Sequence, residues 1–469
     1  MHIVMFSINP LFPTYITGGA SKHLKAVALY LGEAGHQVTI LCARITDSRD
    51  TFKWHENVTV HPILRFKQPF PQPYAVPAFD MANMVQDVGD FLTTADRFYM
   101  HDGEFLFPFV YRDIPTVISL RDNVYPETLL GSFQFAASKL ILISRYSQEY
   151  YLSTVGRFFP ELAERITVIH NGIDWDVFKP TPPAEIFDYI TLDASRPVVL
   201  HPHRPEESKG IRQTLALVDR LVHEHGLRDV VALIPRWMDS QLSPELREFY
   251  AEIDAFIDDR GLRDNVALHG WIPQHLMPQY YSLGAVTLSL GYFPESFGNS
   301  VYESLGCGTP AIAARISTHR ELLPDDLLHK VDYDDITSAA RIAADIIRTG
   351  QRTSAATLDY LRAHYGVARQ LRQYADAILN ATVAAPMTYQ HPPRDERTRY
   401  RLPYWCYRGQ RGVYHDFYAN YRDLSHLNAL LDNFPDGFTI ASADAHGISA
   451  EEVETLYREG YLIPATEAL

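Results

Sequence analysis

Apolar and polar positions along the chain fall into blocks that read as strand, loop and helix in turn. HIVMFSI (2–8) is a short apolar run, a loop rich in Pro and Gly follows, and from about 20 to 34 apolar residues recur at helical spacing. Gly35 closes that helix, and QVTILCA (37–43) makes a second strand. A β-loop-α-β unit of this kind predicts a parallel sheet covered by helices. Further strands are expected at TVISL (116–120), KLILIS (139–144) and RITVIH (165–170), and the half closes on NGIDWDVFKP (171–180). The Pro-containing stretch 181–197 reads as a linker, after which the pattern restarts with PVVLH (197–201), a loop and a helix over about 211–226. VVALIP (230–235), NVALHG (265–270), AVTLSL (285–290) and PAIAA (310–314) follow at α/β spacing. The expected fold class is therefore α/β: two Rossmann-like, doubly wound domains, over 1–180 and 190–368, with a ligand cleft between them. A helix over 369–385 returns toward the first domain.

At 385–387 the character changes. Residues 388–422 are dense in Tyr and Arg, with seven arginines against three carboxylates (+4), whereas 423–469 carry one arginine against nine carboxylates (−8). This polarised stretch, 386–469, reads as a small C-terminal appendage. Its pattern over 423–464 predicts helix, turn, helix and a closing strand, with Ile448-Ser449-Ala450-Glu451 as a capped helix start. That order resembles small winged-helix modules, including those that hold peptide substrates; an oligomerisation or acceptor-docking element fits it equally, and the −8 balance opposes a DNA role.

Composition narrows the class of protein. A chain of 469 residues with 46% hydrophobic and 12% aromatic content can bury proper cores, which excludes a disordered protein. The net charge of −15 argues against nucleic acid as a partner. Three scattered cysteines, Cys42, Cys307 and Cys406, form no disulfide framework or Cys-rich metal site and fit a reducing compartment. MHIVMFSINP is read as no signal peptide, and no run approaches the roughly 18 apolar residues of a spanning helix. A cytoplasmic enzyme is expected.

The stretch PESFGNSVYESLGCGTP (294–310) carries the most chemistry. Glu295 and Glu303 stand eight apart with a small-residue turn between them, and an apolar helix starts near Asn299. Helix N-termini present unpaired N–H groups, so the backbone at Phe297, Gly298 and Asn299 can donate to hydroxyls or phosphate oxygens. Glu303, one turn inside, suits the vicinal hydroxyls of a ribose, and Glu295 on the loop can face a sugar ring. An isolated E-x7-E is most often a buried helix with two surface glutamates; Ser296, Phe297, Gly298, Gly306, Gly308 and Pro310 around this pair reverse that preference. RPEESKG (204–210) follows a strand and precedes a helix, which lets Arg204 and Lys209 reach into the cleft, although a solvated loop pair has the same spelling. Gly18 and Gly19 open the first helix, where glycine allows a ligand close to the backbone. No G-x-G-x-x-G fingerprint is present there, which disfavours a dinucleotide dehydrogenase.

Over about residues 1–383 the sequence resembles the retaining GT-B glycosyltransferases of family GT4. Glu295, Phe297, Gly298, Glu303 and Cys307-Gly308-Thr309-Pro310 match the family's E-x-F-G, second Glu and C-G-T-P-V signature, and VIHNGIDWDVFKP (168–180) matches its domain-closing segment. In that segment Asn171 and Gly172 are architectural and Asp174 caps a turn. The resemblance implies that Arg204 and Lys209 neutralise the donor diphosphate and that the Gly18-Gly19 loop touches donor phosphate or acceptor. It also implies that His101, ending a strand in YMHDGEF (99–105), sits beside the reacting sugar. Where relatives have His-Asp after the next strand, this chain has Arg121-Asp122, and Arg121 is expected to bind an anionic group on donor or acceptor. Glu321 matches the acidic residue after the family's Gly-rich segment, which here reads Ser317-Thr318-His319 without glycine.

What this implies is transfer of a sugar from a nucleotide diphosphate sugar, UDP- or GDP-linked, with retention of configuration. The acceptor, a small molecule, glycan, lipid-linked species or peptide, is not specified. No cofactor is expected beyond the donor substrate, and no metal, since no Asp-x-Asp stands at a strand end. The appendage is a candidate for homo-oligomer formation. A sugar-nucleotide epimerase, a phosphorylase or a non-catalytic binding protein of the same fold remains the alternative.

Overall fold

The computed structural model describes residues 1–16, 18–69, 72–193, 195–236 and 243–465. Thr17 of the Gly-Gly loop, residue 194 of the linker and the last four residues of the appendage lie outside the described residues. The chain forms two compact units. The first holds Met1–His170, Ala368–Arg408 and Arg422–Leu469; the second holds Asn171–Val367 together with Gly409–Tyr421 from the tail.

The first unit is built on an eight-stranded sheet in the order Phe52–His55, Val58–Leu64, Gln37–Ala43, His2–Ser7, Arg97–His101, Thr116–Leu120, Lys139–Leu142, Ile166–Val168. All neighbours are parallel except the outermost pair, Phe52–His55 with Val58–Leu64. Strands covered by helices on both faces need unbroken apolar sequence, and Thr116–Leu120 is buried along its whole length. Helix Gly19–Glu33 lays Leu24, Val27, Ala28 and Leu31 on the sheet, and Tyr374, Ala375 and Ile378 of helix Val367–Leu379 complete the same core. Strands Phe52–His55 and Val58–Leu64 were not foreseen: Pro62 interrupts the second, and only alternate residues of it are buried. In the tail part of this unit Tyr400–Arg401 pairs antiparallel with Ile463–Pro464, and Ser449 caps helix Ala450–Arg458 by accepting from the Glu452 N–H at 3.1 Å.

The second unit has a six-stranded, wholly parallel sheet in the order Val266–His269, Val231–Pro235, Val198–Leu200, Val286–Ser289, Ala311–Ala314, His329–Val331. Two doubly wound, parallel α/β units with a small C-terminal appendage are the fold class expected from the sequence; the tail also forms a second small sheet, of Cys406–Gly409, Gly412–His415 and Asn420–Arg422. Among the described residues no helix is long and apolar enough to cross a membrane.

Candidate donor site

In the second unit the sheet order reverses between Val198–Leu200 and Val286–Ser289, and a crevice opens at the carboxyl ends of strands where the winding reverses. Two loops leave that point with their backbones packed against each other. A Cβ on Gly210 (φ 89°) would fall 2.4 Å from the Gly291 nitrogen, and one on Gly291 would fall 2.3 Å from the Ser208 carbonyl oxygen. Glycine at both positions is what allows the approach. The Phe293 N–H donates to the Ser208 carbonyl at 3.0 Å, locking the loops together.

This packing delivers Lys209 to Glu295. The ammonium donates to Glu295 Oε1 at 2.6 Å and lies 3.6 Å from the centre of the Phe293 ring. The Lys209 side chain is 10% exposed and that of Glu295 24%, so the pair is sheltered but reachable. It borders a small pocket, open to solvent, that is also lined by His203, Ser289, Gly291 and His319. Burial alone would raise the Glu295 carboxyl, but the charge and hydrogen bond of Lys209 outweigh it and hold the group below its ordinary value. Burial pushes both imidazoles, His203 and His319, down to about 4, against the opposing pull of Glu295. Both rings are therefore neutral at pH 7. His203 donates through Nε2 to the Leu288 carbonyl at 2.9 Å, which leaves Nδ1 as its acceptor.

Gly298 (φ 79°) caps helix Asn299–Gly306, and a Cβ there would sit 2.5 Å from Cε1 of His319. Phe297 is buried against Tyr302 and Tyr365, at centroid distances of 5.1 and 5.5 Å, and anchors the turn from below. Glu303 is 9% exposed and accepts from the Tyr281 hydroxyl at 3.1 Å. Asn299 Oδ1 accepts from Asn171 Nδ2 at 3.0 Å, so the residue read as architectural in the domain-closing segment touches the helix start. Asp174 caps its turn, accepting from the Asp176 and Val177 N–H groups. Arg204 is not brought to the Lys209–Glu295 pair: it is half-exposed, 3.2 Å from Glu206, and does not line the cavity.

In the first unit His101 ends its strand where the sheet order reverses between His2–Ser7 and Arg97–His101. Its Nε2 donates to the Ala20 carbonyl at 3.0 Å, and Nδ1 accepts from the Tyr99 hydroxyl at 2.6 Å. Burial, then the charge of Arg121, holds the ring's pKa well below the ordinary value. Gly18 lies at extended φ with no described atom within 4 Å of where its Cβ would be, and Gly19 starts the helix. Arg121 donates to the Tyr374 hydroxyl at 3.3 Å. Sequence reasoning did not single out Asp102 or the carboxyl of Asp122. Burial, with the charge of Asp122, lifts Asp102 to about 7, and burial lifts Asp122 to about 6 against the N–H groups of Tyr125 and Val124. Among the described residues no group of three or more His, Cys, Asp or Glu side chains is placed to hold a metal ion.

The architecture is that of the GT-B glycosyltransferases. It matches sucrose-phosphate synthase from Thermosynechococcus elongatus (TM-score 0.62, 17% identity, 80% of this chain and 97% of that one). It also matches Anabaena Alr3699/HepE in complex with UDP and glucose (0.61, 21%, 80% and 98%) and a glycosyltransferase from Rickettsia africae ESF-5 (0.59, 15%, 81% and 99%). The sequence matches the model of Glycosyltransferase Family 4 over 17–177 and that of Glycosyl transferases group 1 over 184–353. The chain belongs to this GT4-like group of GT-B glycosyltransferases. A search of the curated proteins finds no match to it.

Proposed function

We propose that the protein is a retaining, metal-independent glycosyltransferase that moves a sugar from a UDP- or GDP-sugar to an acceptor. The observation that carries this reading is the Lys209–Glu295 pair, held at 2.6 Å over a cavity at the reversal point of the second sheet. Departure of a nucleoside diphosphate builds negative charge, and a fixed cation there stabilises the transition state more than the ground state. An ammonium has three N–H donors, of which Glu295 takes one, so Lys209 can serve the diphosphate without releasing the carboxylate. Arg204, half-exposed on the same loop, is assigned to the diphosphate as well. The backbone N–H groups at 297–299 and Glu295 are assigned to the sugar, and Glu303 to the ribose hydroxyls. In the first unit, Gly18, Gly19, His101 and Arg121 are assigned to the acceptor side and the sugar.

No residue of the second-unit cavity is assigned as a nucleophile. Retention then follows a front-face course in which the leaving phosphate oxygen takes the acceptor's proton, and the protein supplies position and field. Thermal-shift measurements with UDP-, GDP- and dTDP-sugars, followed by donor hydrolysis and anomer analysis of the product, test the reading. Preferential stabilisation by one donor is expected from linkage. Absence of stabilisation by any nucleotide sugar, or a product of inverted configuration, would count against it.

A further inference from the structure

We propose that Asp416, carried into the second unit by the tail segment Gly409–Tyr421, is a positioning residue for the donor site. It holds the Ser317–Arg320 turn in the shape that places His319 and Glu295. The proposal rests on the reading of the Lys209–Glu295 cavity as the site of the nucleotide sugar, and it goes beyond it: neither family model reaches past residue 353.

The Asp416 side chain is wholly buried. Its carboxylate accepts from both terminal nitrogens of Arg320, at 2.9 and 2.8 Å, and from the Ser317 N–H at 3.3 Å. A two-pronged guanidinium–carboxylate contact fixes direction as well as distance. The segment that brings it in is itself anchored. Gln410 N–H donates to Asp332 at 2.8 Å, Arg411 hydrogen-bonds the Tyr333 carbonyl, and the Tyr414 ring lies 5.2 Å from that of Tyr333.

Ser317 occupies left-handed backbone (φ 44°), which a residue with a Cβ adopts only when its surroundings hold it there. Two bonds hold it: the N–H to Asp416, and its hydroxyl to the Glu295 carbonyl at 2.7 Å. Two residues on, the His319 ring fills the space beside Gly298, with Nε2 3.3 Å from the Ser289 hydroxyl and Nδ1 3.4 Å from that of Tyr302. Asp416 thus acts through one turn on two residues lining the cavity. Where the sequence lacks the family's glycines at 317–319, a carboxylate from the tail stabilises the conformation that glycine would adopt unaided.

The test uses the full chain and the variants Asp416→Asn, Asp416→Glu and Arg320→Lys, with UDP and GDP binding measured by calorimetry beside the thermal midpoint. Asp416→Asn and Arg320→Lys are expected to weaken nucleoside diphosphate binding ten- to a hundredfold, with KM for the donor rising in step, and Asp416→Glu to recover part of it. Should Asp416→Asn fail to fold, Arg320→Lys, which keeps the charge and loses the fork, decides. Variants that melt earlier yet bind within twofold of the wild type would reduce Asp416 to a structural clamp and overturn the proposal. A wild type that binds neither nucleotide, or binds them unaffected by Lys209→Ala, overturns the donor-site reading itself.

Discussion

Replacing Lys209 with alanine is the sharpest probe of the proposed donor site. The substitution removes an ammonium that is 10% exposed and 2.6 Å from Glu295. A unit charge about 4 Å from a phosphate oxygen contributes on the order of 4 kcal/mol at an effective dielectric of about 20. Removing one such group from a developing charge costs roughly 2.7–4 kcal/mol, or about 10²–10³ in kcat. The loss is expected in kcat more than in donor KM, because the charge on the leaving group is largest in the transition state. The carboxylate left behind loses what keeps its pKa down and, being sheltered, drifts upward. Combining Lys209→Ala with Glu295→Gln should therefore destabilise the fold less than the two single changes added together, by roughly 1–3 kcal/mol. The assays are steady-state donor turnover, with and without acceptor, and thermal unfolding of the four members of the cycle. A Lys209→Ala enzyme that stays folded and works within tenfold of the wild type would refute the reasoning, and additive stabilities would show that the 2.6 Å contact carries no energy.

Gly298→Ala places a methyl group 2.5 Å from the His319 ring at a φ of 79°. It is expected to cost about 1–3 kcal/mol in stability and to weaken donor binding at least tenfold, and an unchanged melting curve with unchanged affinity would contradict the packing. Glu104 is 2% exposed, neither carboxylate oxygen has a hydrogen-bond partner among the described residues, and burial lifts it from 4.5 to about 8. A folded-state pKa above the unfolded one means that stability is whole below about pH 4.5 and is lost as pH rises through about 8. Glu104→Gln should therefore match the wild type near pH 4.5 and exceed it increasingly toward pH 8, with an upper bound of roughly 5 kcal/mol. A difference in melting temperature that does not grow with pH would exclude this origin. Exhaustive treatment with a chelator should leave donor turnover unchanged, and loss of activity restored by a divalent ion would contradict metal independence.

Local chemistry made much of this protein legible in its sequence. Runs such as QVTILCA and TVISL announce themselves as buried parallel strands, since both faces need apolar residues, and they form at Gln37–Ala43 and Thr116–Leu120. The turn at Gly298 before an apolar helix is visible because a left-handed cap followed by small residues leaves a short-range mark. Lys209 and Glu295 could each be named, but 86 residues separate them in sequence. Their 2.6 Å contact depends on Gly210 and Gly291 meeting backbone to backbone across the sheet reversal. His203 could not be named from sequence, and His319 only as part of the 317–319 segment, because their place at the pocket comes from contacts made on folding, His203 to the Leu288 carbonyl and His319 to the Ser289 hydroxyl. The tail read as a separate appendage, whereas Gly409–Tyr421 packs within the second unit and sets Asp416 on Arg320, 96 residues away. Periodicity and turn chemistry act over a few residues, so they determine which segments become strands and helices. Which loops and charges then meet is decided by sheet order and close packing, quantities that exist only once the whole chain has folded.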